Sequence, residues 1–400
     1  MPETPRNLPT DLRGIGNLTV DAIAGITDIV ESLHQTIAGF AGMLSAGNRQ
    51  RTKGITGLAY RNVRTVSQGV GNGLDAVLDR LSTRIGQHPS HHAREAMLAA
   101  LNGVIGDHLA ERRNPLAIAM QFRRDGQPLT RQALSEMIRQ SGGKLAIMVH
   151  GSCMNDLQWR RNGHDHGAAL AKDLGLTPLY VHYNTGRHIS QNGRALSDLF
   201  EELIEWSPEP PELFIVAHSM GGLVCRSACH CATTAGRKWL LHLRKIVFLG
   251  TPHHGAMLEK GGNIVTRIME ISPYSAPFAR LGKIRSAGIT DMRYGNVSDA
   301  DWQGIDRFDG SGDARTFMPL PEGVDCYTIA ATAAKTPDKL RDGLIGDGLV
   351  TVDSALGRHQ NPDYTLQFPH SHQWIARSMG HMALLHDPAV YGTIRKWLQS

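Results

Sequence analysis

The 400-residue sequence contains no apolar run approaching the roughly 18 residues that suggest a membrane span. Its opening, Met-Pro-Glu-Thr-Pro-Arg, carries two prolines and an acid with no uninterrupted apolar stretch behind it, so no secretory leader is expected. Cysteine is scarce and odd in number. Of the five, Cys225, Cys229 and Cys231 crowd one short segment, unlike the spacing of a disulfide framework. A reducing, cytoplasmic setting is the expectation, with contact to a membrane or lipid particle at most peripheral. Neither a G-x-G-x-x-G nor a P-loop pattern occurs, so no nucleotide cofactor is expected. Neither charge sign dominates, with 42 Lys and Arg against 37 Asp and Glu. A net charge of +5 on so large a chain does not argue for a nucleic-acid partner. What remains is 41% hydrophobic and 20% charged, the composition of a folding chain that can bury a full core without disulfides or structural metal.

Two unlike parts follow one another. From Leu12 to Arg113 apolar residues recur at helical steps: Leu12 to Ile37, then Ile55 to Ile85, then Met97, Leu101, Val104, Ile105 and Leu109. Asn114-Pro115 stops the pattern. Between Ser32 and Leu74 there is no acid, while Arg49, Arg51, Lys53, Arg61 and Arg64 fall in that window. Such basic amphipathic helices can lie on an anionic lipid surface, or they can pack on one another and on the following domain. Residues 1–113 are therefore read as an N-terminal helical region, and 114–400 as the main domain.

From Leu116 short apolar runs alternate with helical stretches. Leu116–Phe122 reads as a strand, Asp125-Gly126 as a hairpin turn and Gln127–Thr130 as the partner. Arg131–Gln140 reads as a helix. Leu145–Val149, Pro178–His182, Leu213–Ala217 and Lys245–Leu249 read as buried strands, with Cys326–Ala330 a fifth and Thr365–Phe368 a sixth. The alternation predicts an α/β fold with a mostly parallel sheet covered by helices on both faces.

The most informative segment runs Leu213-Phe-Ile-Val-Ala217-His218-Ser219-Met220-Gly221-Gly222. A strand leads straight into a serine flanked by small residues and then into a helix. That is the nucleophile-elbow pattern, in which a tight turn lifts the serine above the sheet edge. The turn leaves no room for large side chains two residues either side. Ala217 and Gly221 occupy those positions, so G-x-S-x-G is met with one Ala for Gly.

Here the chain resembles the α/β-hydrolase family, in particular its lipase and esterase branch. Gly250-Thr-Pro-His253-His254-Gly255 is similar to the G-T-P-H-x-G of bacterial lipases and of GPI-inositol-deacylase-like proteins. The resemblance covers roughly Leu116 to Ser400. It implies an oxyanion hole after an early strand, where Leu145–Val149 ends in His150-Gly151-Ser152-Cys153, similar to the H-G loop of such lipases. The donors are assigned to the N–H groups of Met220 and Ser152, with Cys153 the neighbouring alternative and Gly151 letting the backbone bend close to substrate. It implies an acid in Ile345-Gly-Asp347-Gly-Leu-Val, with Asp342 as rival, and a final histidine at Gly380-His381-Met382, with His386 as competitor. The order Ser219, Asp347, His381 is that of the fold.

The expected activity is hydrolysis of carboxylic esters with apolar or lipid-like acyl groups, through an acyl-enzyme. Acyl transfer with the same triad, and a lipid-surface or polymer-granule binding protein with secondary hydrolysis, are the alternatives. His150, His218 and His253 are candidate substrate-site residues. No metal is expected, since neither His164-Asp165-His166 nor His253-His254 has further ligands at a zinc spacing. Met257–Val324 reads as a cap over the acyl pocket or as a cover for a core edge. Tyr183–Arg194, with His188 and Asn192, reads as a second loop lining the same cleft.

Overall fold

A computed structural model describes residues 92–114, 116–140, 142–207, 209–256, 286–305, 313, 315–337 and 346–399. The two earlier helical stretches, Asp342 and much of the expected cap therefore lie outside the described residues. Helix α1 (His92–Glu111) leads into the hairpin β1 (Gln121–Arg124) and β2 (Gln127–Pro128), then α2 (Arg131–Gln140). There follow β3 (Lys144–Val149), α3 (His166–Leu174), β4 (Thr177–His182), α4 (Ile189–Glu205) and β5 (Glu212–His218). The chain continues through α5 (Met220–Ala235), β6 (Leu243–Leu249), α6 (Ala287–Asp291) and β7 (Asp325–Thr332). It closes with α7 (Val352–Ala355), β8 (Gln373–Arg377) and α8 (Pro388–Gln399).

The strands form one sheet in the order β2-β1-β4-β3-β5-β6-β7-β8. From β4 to β8 every pair is parallel; only the β1–β2 hairpin and its contact with β4 are antiparallel. Alternation along each strand divides the core. Leu145, Ile147, Val149, Leu213, Ile215 and Ala217 face the layer that includes α1, α4 and α5. Ala146, Met148, Phe214 and Val216 face the layer of α3 and α8, where Leu170, Ile394 and Trp397 pack. Two covered faces explain why the central strands read as continuous apolar runs. No helix of the described residues is long and apolar enough to cross a membrane.

Two expected strands differ. Thr365–Phe368 is not a strand: Leu366 and Phe368 are buried, but the Leu366 N–H goes to Gly357 O and the Phe368 N–H to Leu366 O, away from any ladder. The last strand is β8, paired along one side only, with β7. Of Leu116–Phe122, only the end joins a ladder. Before it, the Asn102 side chain binds two backbone groups, donating to Leu116 O and accepting from the Ile118 N–H.

Helix α1 was assigned by sequence to the N-terminal region, yet Ala100, Leu101, Val104, Ile105 and Leu109 lie in the same core cluster as the sheet. A single apolar stripe understates it, because Leu101–Gly106 are all buried. The boundary drawn at 113 thus falls behind a helix that is packed into the main domain.

Candidate active site

Strand β5 and helix α5 join at Ser219, whose backbone is held at φ 54° and ψ −125°. A non-glycine residue in that region is strained, and such strain persists only where the surroundings over-determine it. Gly221 supplies one reason: a Cβ there would lie 2.5 Å from Val149 O and 2.6 Å from His150 O. The start of α5 therefore presses against the end of β3. On the other side, a Cβ at Gly151 would come within 3.1 Å of Ser219 Cβ. Small residues at 151 and 221 let the serine turn and the His150–Cys153 loop touch.

His381 begins a short 3-10 turn after β8, and its Nδ1 lies 2.6 Å from Asp347 Oδ2. The other carboxylate oxygen of Asp347 accepts the N–H groups of Leu349 at 3.0 Å and Val350 at 2.8 Å. The His381 N–H donates to Asp347 O, so backbone and side chain both tie the two residues. All three polar side chains are nearly buried, with Ser219 9%, Asp347 7% and His381 4% exposed. His381 Nε2 has no hydrogen-bond partner, and His381 and Ser219 line the same cleft. In free enzymes the serine–histidine bond often tightens only with substrate in place.

Met220 is the first residue of α5, and the first four N–H groups of a helix have no intrahelical acceptor. The positive end of the helix dipole adds to the attraction of an anion there. In the facing loop, Gly151 and Ser152 line the cleft. The Cys153 N–H is directed elsewhere, to Thr185 Oγ1 at 3.1 Å. Of the two loop donors weighed from sequence, Cys153 is thus engaged within the protein, while Ser152 is the one that lines the cleft. Burial also holds the Cys153 thiol up at about 11, so it is no competing nucleophile.

The rest of the lining among the described residues is apolar: Met154, Pro252, Ala256, Met292, Leu349, Val350 and Met382, with His218 beside the serine. No Lys, Arg, Asp or Glu is among these lining residues. Sequence reasoning missed Met154, Met292 and Met382, since scattered methionines carry no positional signal. Leu349 and Val350, in contrast, sit in the very segment that drew attention to Asp347.

Two candidates for the substrate site lie away from it. His253 is buried between Phe248, with ring centroids 4.9 Å apart, and Phe368, at 5.4 Å. The tight turn closed by the Gly255 N–H to Pro252 O aims its neighbours Pro252 and Ala256 at the cleft instead. His150 is buried under its own loop against Tyr183, whose hydroxyl donates to His150 O. Burial depresses His218 and His253 well below the ordinary histidine range and His150 to about 4. All three are neutral at pH 7. The Tyr183–Arg194 loop likewise does not line the cleft: the His188 ring and the Ile189 N–H bind Asp291, anchoring α6. His166 is the first residue of α3 and His164 lies just before its N-cap Asp165; no group of three or more metal-ligating side chains occurs among the described residues.

Residues 140–320 match the family described as the PGAP1-like alpha/beta domain. With the sheet order and the strained serine turn, this settles the architecture. The fold is that of an α/β-hydrolase. Among solved structures, a Bacillus licheniformis lipase, BlEst2 in its mature form, is 15% identical over 64% of this chain and 92% of its own, at a TM-score of 0.41. Aspergillus fumigatus lipase B is 10% identical over 70% of this chain and 56% of its own, at 0.42. The NocB thioesterase domain, in covalent complex with a fluorophosphonate nocardicin G analog, is 12% identical over 66% and 97%, at 0.39. At such scores these add nothing to what the sheet order and family match already give. No curated sequence is significantly similar to the chain.

Proposed function

We propose that this α/β-hydrolase cleaves carboxylic esters with apolar acyl groups, with Ser219 as nucleophile, His381 as base and Asp347 as orienting acid. One observation carries the reading: a strained serine and a histidine with a free Nε2 share an apolar cleft, and that histidine's other nitrogen lies 2.6 Å from a buried carboxylate. Asp347 accepts from Nδ1–H, which leaves Nε2 as the lone-pair nitrogen. Ser219 Oγ attacks the ester carbonyl while Nε2 takes its proton. The negative oxygen of the tetrahedral adduct accepts from the N–H groups of Met220 and Ser152. Collapse breaks the bond to the alcohol, which leaves with the proton returned by His381. Water, deprotonated by the same nitrogen, then releases the acid and frees Ser219.

The described lining residues carry no charged group, which favours neutral acyl chains, since a buried unpaired charge would be costly there. Hydrolysis of p-nitrophenyl esters from acetyl to palmitoyl, with Ser219→Ala as control, tests the reading. Turnover that disappears in the variant supports it. A folded wild-type protein that leaves every ester intact, or turnover that survives in Ser219→Ala, contradicts it.

A further inference from the structure

Helix α1 stands before the hydrolase motifs in sequence, yet it touches three separate segments around the cleft. The first is the loop that carries Ser152. A Cβ at Gly103 would overlap Cys153 Sγ and come within 3.0 Å of Cys153 Cα, so α1 lies directly against the residue after Ser152. Farther along the same loop, Asp156 opens a 3-10 turn capped by Asn155. Arg123 on β1 donates from one nitrogen to both Asp156 Oδ1, at 3.1 Å, and Glu95 Oε2 of α1, at 2.7 Å. Its other terminal nitrogen donates to Gly126 O. All three charged residues are buried.

The second segment follows β4. Asn184 Nδ2 donates to Gly106 O at 2.8 Å, and Gly186 packs without room for a Cβ against the α1 backbone at Asn102 and Gly106. This is the stretch whose Thr185 hydroxyl accepts the Cys153 N–H. The third carries Met292 to the cleft wall: Ser286 Oγ donates to Gly103 O at 2.6 Å, and the Ala287 N–H to Asp107 Oδ2 at 2.9 Å. The helix is broken at Ile105, with φ −135° and ψ 19°. A break of that kind withdraws nearby carbonyls from the i→i−4 ladder, and the carbonyls of Gly103 and Gly106 accept from side chains of the surrounding segments.

We propose that α1 is a positioning element of the ester-hydrolysing site. It holds the oxyanion loop at two anchors, Gly103 against Cys153 and the Glu95–Arg123–Asp156 bridge, and thereby sets the aim of the Ser152 N–H. The proposal rests on the hydrolase reading. Neither anchor touches substrate. Each acts through the loop, where a displacement of about 1 Å can cost up to roughly 10²-fold in rate.

The test uses the full chain, with kcat, KM and Tm measured on p-nitrophenyl butyrate for Gly103→Ala, Cys153→Ala, the double variant, Arg123→Lys and, as a control on the exposed end of α1, Glu111→Ala. Gly103→Ala is expected to lower kcat roughly 10- to 100-fold with KM little changed. The double variant should recover most of the loss, because the sulfur that the new methyl strikes is gone. Arg123→Lys keeps the buried cation but loses the fork that binds both carboxylates through one nitrogen and Gly126 O through the other, and reads the second anchor should Gly103→Ala fail to fold. Its kcat should fall about tenfold at steady KM, within the usual range for a misaligned donor. Active wild type with kcat unchanged in the folded anchor variants, or a kcat loss that only follows Tm with no recovery in the double variant, overturns the brace alone. Wild type without turnover overturns the hydrolase reading and the brace together.

Discussion

Replacing Asp347 by Asn should remove nearly all turnover while leaving the fold intact, and the reason lies in the two faces of that carboxylate. Oδ1 accepts two backbone N–H groups, from Leu349 and Val350, while Oδ2 faces His381 Nδ1. An asparagine must put its carbonyl oxygen where the two donors are, since an NH2 there would meet two N–H groups. Its NH2 then faces His381 and donates to Nδ1. The imidazole responds by carrying its proton on Nε2, the nitrogen that must take the proton of Ser219. The corresponding change in a chymotrypsin-type triad lowers kcat by ~10⁴. At 1.36 kcal/mol per tenfold, that is about 5.5 kcal/mol of activation free energy. Steady-state hydrolysis of a p-nitrophenyl ester measures it, and thermal unfolding checks that the two backbone bonds to the substituted side chain's carbonyl have kept the loop. A folded Asp347→Asn variant within tenfold of wild type would refute the tautomer argument and with it the role given to this residue.

Other consequences concern stability. Arg123→Met strips the cation from between two buried carboxylates and should lower the unfolding free energy by about 3–5 kcal/mol in urea titrations; a loss below about 1 kcal/mol would mean the bridge is not holding buried charge. Burial depresses His150 and His166 to about 4, below the ~6.5 of an unfolded histidine, so the unfolded chain binds more protons in that window. Their contribution is complete above about pH 6.5 and is lost as pH falls toward 4, with a combined slope near 2.7 kcal/mol per pH unit, two histidines at about 1.36 each. Urea midpoints that stay flat between these pH values would contradict the two rings' being buried as neutral bases.

Much of the architecture was legible because parallel strands covered on both faces leave unbroken apolar runs, as in Leu213–Ala217 and Lys245–Leu249. The Ser219 turn was legible for a steric reason: Gly221 cannot carry a Cβ against Val149 and His150. Strand β8 was not, since an edge strand such as Gln-Trp-Ile-Ala-Arg is only half buried, whereas Leu366 and Phe368 look like a strand and are buried without joining a ladder. His253 could not be separated from a cleft residue by position alone, because one tight turn decides whether it or Pro252 faces the substrate side. The helical period of α1 revealed a buried stripe but not its partner. What binds it to the rest of the domain, Asn102 to Leu116 and Glu95 to Arg123, are polar contacts between separated residues that no local pattern encodes.

Covalent labelling with a fluorophosphonate, followed by mass mapping of the modified peptide, tests the central claim most directly. The account predicts one adduct, on Ser219, that disappears in Ser219→Ala while the protein stays folded. Labelling that persists in that variant, or that maps to another residue, would contradict it.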